Sequence, residues 1–583
     1  MIKEIEKLLI NLINKNFNLK LETIKIWVSP KNMFWDYSFN WWILARDLKK
    51  NPVLIVEELK KIIDSDNNLL IEETELTWAY LNIKVNNNIY TDLFNKFYND
   101  KESLLWNCES NNKSIVIDYI WANVWKPLHI GHMCTPNQWQ VLVNLYKKIW
   151  YKVVADSHIG DWWIIFWKLI LAYKFWWDEG KLEKEAINYL LELYVKITEE
   201  TEKDETFEQK TRDEFKLLSE GNIESVKLWK KFTSFSISAM QIQLDRLNIK
   251  PDYNIWESFY EGLWLPKMEN FPDLKDDMHS IVTELIEKWI AIKNEDNSVG
   301  VLFDEDLKIP SCILQKRDWT HGYLASDLAA IKYRMQNWNP EKIVYFVDSR
   351  QQLHLRQAFL ISKLAWWIDD TELFHAANGF ISLKDWAMST RKWRIIKLDK
   401  LLDEAENRAK KIILEKRDDI NWDELDKLSK MIWIWAIKYW YLKKNRETDV
   451  IFDWDEFMSF EWNSGPYIQY AYVRTRWILE NYGEVIDKNV IWNFEYSEEI
   501  ELIKKLSDYK LILNNTAKSN SPHILCKYSY ELTKTFNTFY NSINILKEED
   551  ENKKINRLKL VELFWDILKD SFNILWIEMP DKM

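Results

Sequence analysis

Glycine is the residue this sequence most lacks. Only 10 of 583 positions carry it, where an ordinary protein at roughly 7% glycine would hold about 41. That excludes a collagenous, glycine-linker or low-complexity chain. Cysteine is scarce as well: four residues, at 108, 134, 312 and 526, far apart and without a CxxC pair. This disfavours a zinc ribbon or a disulfide framework and fits a reducing cytoplasm. No run of about 18 uncharged apolar residues exists, so no transmembrane helix is expected. The opening MIKEIEKLLINLINKN reads as an amphipathic helix interrupted by charges, not as a secretory leader. Positive charge is not in excess either. The net charge of -12 argues against a broadly basic nucleic-acid coat and leaves room for a local basic groove.

What is present in excess is tryptophan, with 35 residues. The glycine shortfall, about 30 by the average above, nearly equals that count. The expectation is that tryptophan stands in for glycine. Hydrophobic content of 47% and charged content of 29% describe a globular protein able to bury real cores. At ~150 residues per domain the length predicts three or four domains.

Residues 1–110 read as a small α/β unit: an opening helix, the loop SPKNMFWDYSFN, a helix to about 64, and a strand in LTWAYLNIKV. From 114 the pattern changes. SIVIDYI is an apolar strand, a loop with Pro127 follows, then a helix from about 129 to 149, and YKVVADSHI is a second strand. Strand, loop, helix, strand is one βαβ unit of a doubly wound parallel sheet. A charge-rich helical insertion occupies about 180–280. The strand KIVYFVDS (342–349) then runs into a helix carrying Gln351, His354 and Gln357. From about 400 the chain is helical. The domain boundaries expected are 1–110, 111–400, a helical connector at 401–455, and a helical bundle at 456–583.

The strongest local signal is ANVWKPLHIGH, residues 122–132. Two histidines three apart, with Gly131 between them, sit where a strand hands over to a helix. Taken alone they are an ordinary capping pair. At a helix N-terminus, however, free N–H groups and the helix dipole favour phosphate, and histidines there can donate to phosphate oxygens. Gly131 would let a nucleotide approach the backbone closely. Further strings follow in order: HIGDWW (158–163), RDWTHGYLASDLAAIKYR (317–334), VDSRQQLHLRQ (347–357), AMSTRKW (387–393), SFEWNSGPYIQYAYVRTR (459–476) and the ending ILWIEMPDKM (574–583). Together they resemble the arginyl branch of the class I aminoacyl-tRNA synthetases over essentially the whole chain.

That resemblance implies a multidomain α/β protein. It comprises a Rossmann-like catalytic domain with a parallel sheet, an N-terminal α+β additional domain that grips the tRNA corner, and a C-terminal all-α anticodon-binding bundle. The implied activity is a two-step ligation of arginine to tRNA(Arg) with ATP, accompanied by Mg2+. A monomer in the cytoplasm is expected, with no membrane partner. His129 and His132 match the histidines that contact ATP and its α-phosphate, with Gly131 between them. Met388 and Ser389 match the ATP-contacting mobile loop. Lys126, Arg391 and Lys392 are the candidate cations for the phosphates. Asn123 and His132 would lie beside the amino acid. Arginine recognition needs acceptors for a planar five-donor guanidinium. Tyr323 and Asp327, four apart and so on one helix face, match the family's guanidinium readers, and Gln351 matches its third contact.

The sequence departs from the family pattern in places. Ala387 stands first in the mobile loop where Lys is usual, with Thr390 and Arg391 at its fourth and fifth positions. Ile164 and Ile165 replace Thr-Gln, and Cys134 replaces a common Arg and reads as structural. Two rival readings are a non-catalytic tRNA-binding relative and another class I synthetase, such as a cysteinyl enzyme. The intact histidines weigh against the first. Asp327 and the missing zinc ligand set weigh against the second. In the helix at 521–541, Tyr528, Leu532, Phe536 and Phe539 form a stripe expected to be core.

The motifs also sort the tryptophans. Trp162 and Trp454 sit where the family has Trp. Trp78, Trp139, Trp150, Trp163, Trp167, Trp386, Trp393, Trp433, Trp435, Trp440, Trp462 and Trp576 sit where it has Gly, and Trp125 where it has Ala or Gly. The expectation is that UGA codons read as glycine have been rendered as tryptophan.

Overall fold

The computed structural model describes the chain except residues 1, 30–34, 41, 43, 45–47, 50, 67–68, 78–79, 103–111, 120–127, 162–163, 263–270, 384–396, 418, 455, 457–464 and 581–583. It forms two compact units. One comprises Met1–Asn107, Arg474–Leu511 and Glu531–Leu568. The other comprises Cys108–Val473, Ile512–Tyr530 and Lys569–Met583.

In the first unit, β1 (Ile26–Val28), β2 (Tyr37–Asn40), β3 (Ile71–Thr77) and β4 (Tyr80–Val85) form an antiparallel sheet of order β1-β2-β4-β3. Alternation decides the faces: Leu81, Ile83 and Val85 are fully buried from β4, as is Phe39 from β2. The stretch expected as one strand at 76–85 instead belongs to two antiparallel strands, with Thr77 of β3 paired to Tyr80 of β4. The expected loop at 29–40 likewise contributes β2. The opening helix Ile2–Phe17 buries Ile5, Leu9 and Ile13 completely, one residue per turn on one stripe. The helix Asn87–Asn99 starts where the Asn86 side chain caps the Asn88 amide. Its Phe94 meets Phe494 edge-on at 5.2 Å, and its Tyr98 hydroxyl bonds Glu562. The N-terminal residues and C-terminal helices thus share one core. Of the stripe Tyr528, Leu532, Phe536 and Phe539, buried throughout, the last three belong to this unit, and Phe536 stacks on Phe564 at 4.0 Å.

The second unit is built on β5 (Ser114–Tyr119), β6 (Lys152–Ser157), β7 (Tyr253–Asn254), β11 (Lys342–Tyr345) and β12 (Glu372–His375). Three short antiparallel strands, β8 (Ile292–Lys293), β9 (Val299–Val301) and β10 (Cys312–Gln315), lie between β7 and β11 in the chain. The main sheet is parallel throughout, in the order β12-β11-β5-β6-β7. Ile115, Val116 and Ile117 of β5 are all fully buried, as a strand covered on both faces requires. The helix Cys134–Lys148 crosses from β5 to β6. The insertion between β6 and β7 supplies the helices Ile164–Phe175, Glu179–Lys203, Glu205–Ser219 and Ile223–Arg246. Its helical part ends at Arg246, and Tyr253–Asn254 already rejoins the sheet. From β5 the sheet grows one way to β6 and β7, then the other way to β11 and β12. The order reverses between β5 and β11, and the crevice beyond the carboxyl ends of those strands is where such sheets bind ligands.

One buried lysine gives this unit a pH dependence. Lys438, on the helix Trp422–Leu442, is 1% exposed and donates to the Trp576 carbonyl at 3.0 Å. Burial lowers its pKa to about 7, whereas an unfolded lysine keeps its proton to about 10.4. Between those values the unfolded state binds more protons, so stability rises with pH, by up to about 1.4 kcal/mol per unit. In Lys438→Met that rise is gone. Unfolding measured across the range gives the variant its greatest advantage over the parent at about pH 7 and below, shrinking toward about pH 9.

Candidate active site

The carboxyl ends of β5, β6 and β11 lie beside His129, His132, Asp327 and Gln351, described members of the sequence-picked site. Beyond β5 the chain re-enters the described residues at Leu128, and a 3-10 turn, Ile130–Met133, leads into the Cys134–Lys148 helix. The His129 and His132 rings lie 3.8 Å apart between centroids, tilted by 42°. Their tautomers follow from the backbone. His132 Nδ1 accepts from the His129 amide and His129 Nδ1 accepts from the Gly131 amide, each at 3.1 Å. With both Nδ1 atoms used as acceptors, both neutral rings carry their hydrogen on Nε2. The pair is two N–H donors held side by side, the equipment for an oxyanion or phosphate oxygen.

The same turn is tied to the segment that follows β13 (Ile381–Leu383). His129 bridges Lys397 in antiparallel fashion, and the Leu398 amide donates to the Leu128 carbonyl at 2.8 Å. The chain leaves the described residues after Leu383 and re-enters them beside the histidines at Lys397, the segment between being residues 384–396. Met388, Ser389, Arg391 and Lys392 fall inside it and lie outside the described residues, as do Asn123, Trp125 and Lys126 and the Cys134 side chain.

The helix Tyr323–Trp338 carries the other half of the site. It starts at Gly322, where a Cβ would come within 3.1 Å of the Ile313 carbonyl. Tyr323 stands exposed on its first turn, and Asp327, one turn on, is 4% exposed. Seven residues after Asp327 on the same face, fully buried Arg334 ion-pairs with Asp118 of β5 at 2.8 Å and Asp156 of β6 at 2.7 Å. Burial pushes the Asp118 carboxyl up against the pull of Arg334. This clamp sets the helix against the two central strands. Arg334→Met leaves two carboxylates buried without their cation, and unfolding measurements show a loss of about 3–5 kcal/mol.

Asp327 itself meets two histidines. His354, in the helix Gln352–Leu364 after β11, bonds its Oδ2 through Nε2. His158, just past β6, has its Nε2 3.8 Å from Oδ1. Burial lowers His158 to about 4, so it is neutral. For His354, burial pulls the pKa down, but the hydrogen bond and charge of Asp327 outweigh it and raise it. Gln351 ends the 3-10 turn Ser349–Gln351, exposed, one turn before His354. Sequence reasoning gave no role to His158, His354 or Arg334, although all three lie in the motif strings quoted above. Among the described residues no group of three or more His, Cys, Asp or Glu is arranged to hold a metal ion. No helix of the described residues is long and apolar enough to cross a membrane.

A parallel sheet with this switch point, a His-x-Gly-His turn (His129–His132) beyond its first strand and a buried acceptor beyond the neighbouring strands define a class I aminoacyl-tRNA synthetase. Residues 96–454 match the catalytic domain of tRNA synthetases class I (R), 468–583 the DALR anticodon binding domain, and 2–85 the arginyl tRNA synthetase N terminal domain. An arginine–tRNA ligase of Clostridium botulinum (strain 657 / Type Ba4) is 34% identical over 576 residues, 98% of each chain. The chain belongs to the arginyl-tRNA synthetase family. In fold it resembles the arginyl-tRNA synthetase of Plasmodium falciparum, with a TM-score of 0.80 at 22% identity, covering 100% of this chain and 99% of that one. It also resembles that of Thermus thermophilus, with a TM-score of 0.77 at 19% identity and 100% of both chains covered.

Proposed function

We propose that this chain carries out its family's arginine–tRNA ligation with the following division of labour. Arginine lies at the carboxyl ends of β6 and β11. Asp327 accepts its guanidinium, Tyr323 and Gln351 flank it, and Asn123 and His132 lie beside its α-amino acid end. The arginine carboxylate attacks the α-phosphorus of ATP, the bond to the β-phosphate bridging oxygen breaks, and pyrophosphate leaves with the accompanying Mg2+. The Nε2–H groups of His129 and His132 receive charge growing on the α-phosphate oxygens. Gly131 admits the nucleotide, Met388 and Ser389 cover it, and Lys126, Arg391 and Lys392 balance the leaving pyrophosphate. The 2′-hydroxyl of the terminal adenosine of tRNA(Arg) then attacks the acyl carbon and AMP departs. The helical bundle from about 456 would bind the anticodon, and residues 1–110 the tRNA corner. The chain acts as a monomer in the cytoplasm.

The observation that carries this reading is the pairing of two fixed Nε2–H donors with a buried carboxylate at the ends of adjoining strands. It is tested by His129→Ala and His132→Ala in arginine-dependent pyrophosphate exchange. Each lowers kcat by about 100- to 1,000-fold with arginine KM little changed for His129→Ala. A kcat within a few-fold of the parent for both variants refutes the assignment.

A further inference from the structure

Asp327 is a carboxylate almost wholly withdrawn from water, and a buried carboxylate keeps its charge only with partners. Arg334, two turns on along the same face of its own helix, is committed to Asp118 and Asp156. His158 lies too far from Oδ1 for a hydrogen bond, at 3.8 Å, and packs on Tyr260. The contact that orients the carboxylate is His354, reaching across from the helix after β11. We infer that His354 is a positioning residue for arginine recognition: its Nε2–H holds Oδ2 so that the carboxylate presents a fixed edge to the guanidinium. The hydrogen bond and charge of Asp327 also raise the pKa of His354 despite its burial. A guanidinium offers parallel donors to both carboxylate oxygens, so a carboxylate free to rotate would lose affinity and the ability to reject a neutral urea analogue such as citrulline.

This inference rests on Asp327 reading arginine, so its test includes Asp327→Asn. Pyrophosphate exchange is measured for His354→Ala, His354→Gln and Asp327→Asn, with thermal unfolding as the folding control. His354→Ala raises arginine KM roughly 10- to 100-fold and leaves ATP KM within about twofold. His354→Gln, which keeps a donor, recovers most of the loss, and decides the matter alone if the alanine variant does not fold. Unchanged arginine KM in folded His354→Ala, equal rises for arginine and ATP, or no recovery with Gln overturns the inference. Unchanged arginine KM in Asp327→Asn overturns the reading beneath it instead.

A second, independent observation concerns backbone conformation. Trp150, Trp289, Trp366 and Trp576 have φ of 66°, 60°, 57° and 57°. Each directly follows the C-cap of a helix. In each case its own amide and the next one bond back to the last turn: Trp150 to Lys147 and Tyr151 to Tyr146, Trp289 to Ile286 and Ile290 to Leu285, Trp366 to Lys363 and Trp367 to Ser362, Trp576 to Asn573 and Ile577 to Phe572. That paired pattern is the Schellman end, whose left-handed residue is usually glycine, sometimes asparagine. Elsewhere in this chain the same pattern is filled by Gly221, Asn248 and Asn520. Trp319, at φ 67°, follows Asp318 in the tight turn closed by Lys316 and Thr320, another glycine position. Three of the five, Trp289, Trp319 and Trp366, are not among the positions sorted from the motifs. The fully buried Trp433 and Trp435 have indole N–H groups without a partner, unusual for buried tryptophan. We infer that the functional protein carries glycine at 150, 289, 319, 366 and 576. Peptide mass spectrometry of the protein isolated from its own cells tests this directly. Glycine at the five positions, with tryptophan at 162 and 454, is the expected result, and tryptophan at the five overturns it.

Discussion

Asp327→Asn raises the KM for arginine by about 100-fold or more, equivalent to about 3 kcal/mol. Asparagine keeps the shape of the side chain but removes its charge and offers one carbonyl acceptor in place of two oxygens. The guanidinium must then leave water for a site without a counter-charge, a loss far larger than that of an exposed ion pair, because Asp327 is only 4% exposed. In the proposed arrangement ATP binds among other residues, at the His129–His132 turn, so ATP KM is expected to stay near the parent value. Arginine-dependent pyrophosphate exchange at varied arginine and at varied ATP separates the two. An arginine KM within fivefold of the parent contradicts the assignment.

Trp→Gly at 150, 289, 319, 366 and 576 together raises stability by about 5–10 kcal/mol, from about 1–2 kcal/mol for each relieved left-handed residue. The five sites lie at separate helix ends and one turn, so their effects add approximately. The sum is comparable to the whole stability of an ordinary domain, so the tryptophan-bearing chain folds poorly and its activity per milligram is low. Glycine gives back part of the gain through the greater freedom of the unfolded chain, a smaller amount than the strain it removes. Denaturant unfolding of the two chains, side by side, measures the difference. No stabilisation, or a loss, contradicts the backbone argument.

Much of the architecture was legible in the chain because its signals are local. SIVIDY, KVVADS and KIVY are short apolar runs, and they become β5, β6 and β11. The handover from β5 to a helix put His129 and His132 together. The antiparallel pairing of β3 with β4 was not legible, because a hairpin is read from Gly, Asn or Asp and in LTWAYL the position where the family has Gly carries Trp78. The end of the helical insertion was missed because β7 is two residues long, a pairing decided by β6 rather than by propensity. His354 and His158 could not be joined to Asp327 from spacing. The contacts span 27 and 169 positions and exist only because the parallel sheet brings three strand ends together. Arg334 stood in a motif string, yet its two carboxylate partners come from separate strands. The sharing of one core by the N-terminal residues and C-terminal helices is likewise a long-range result.

The most direct test is pyrophosphate exchange with the purified protein, tRNA(Arg) and each amino acid in turn. The account predicts exchange with arginine alone, none with citrulline, and its collapse at subsaturating arginine in Asp327→Asn. Exchange supported by a different amino acid, or none with arginine from folded protein that still binds tRNA, would contradict it.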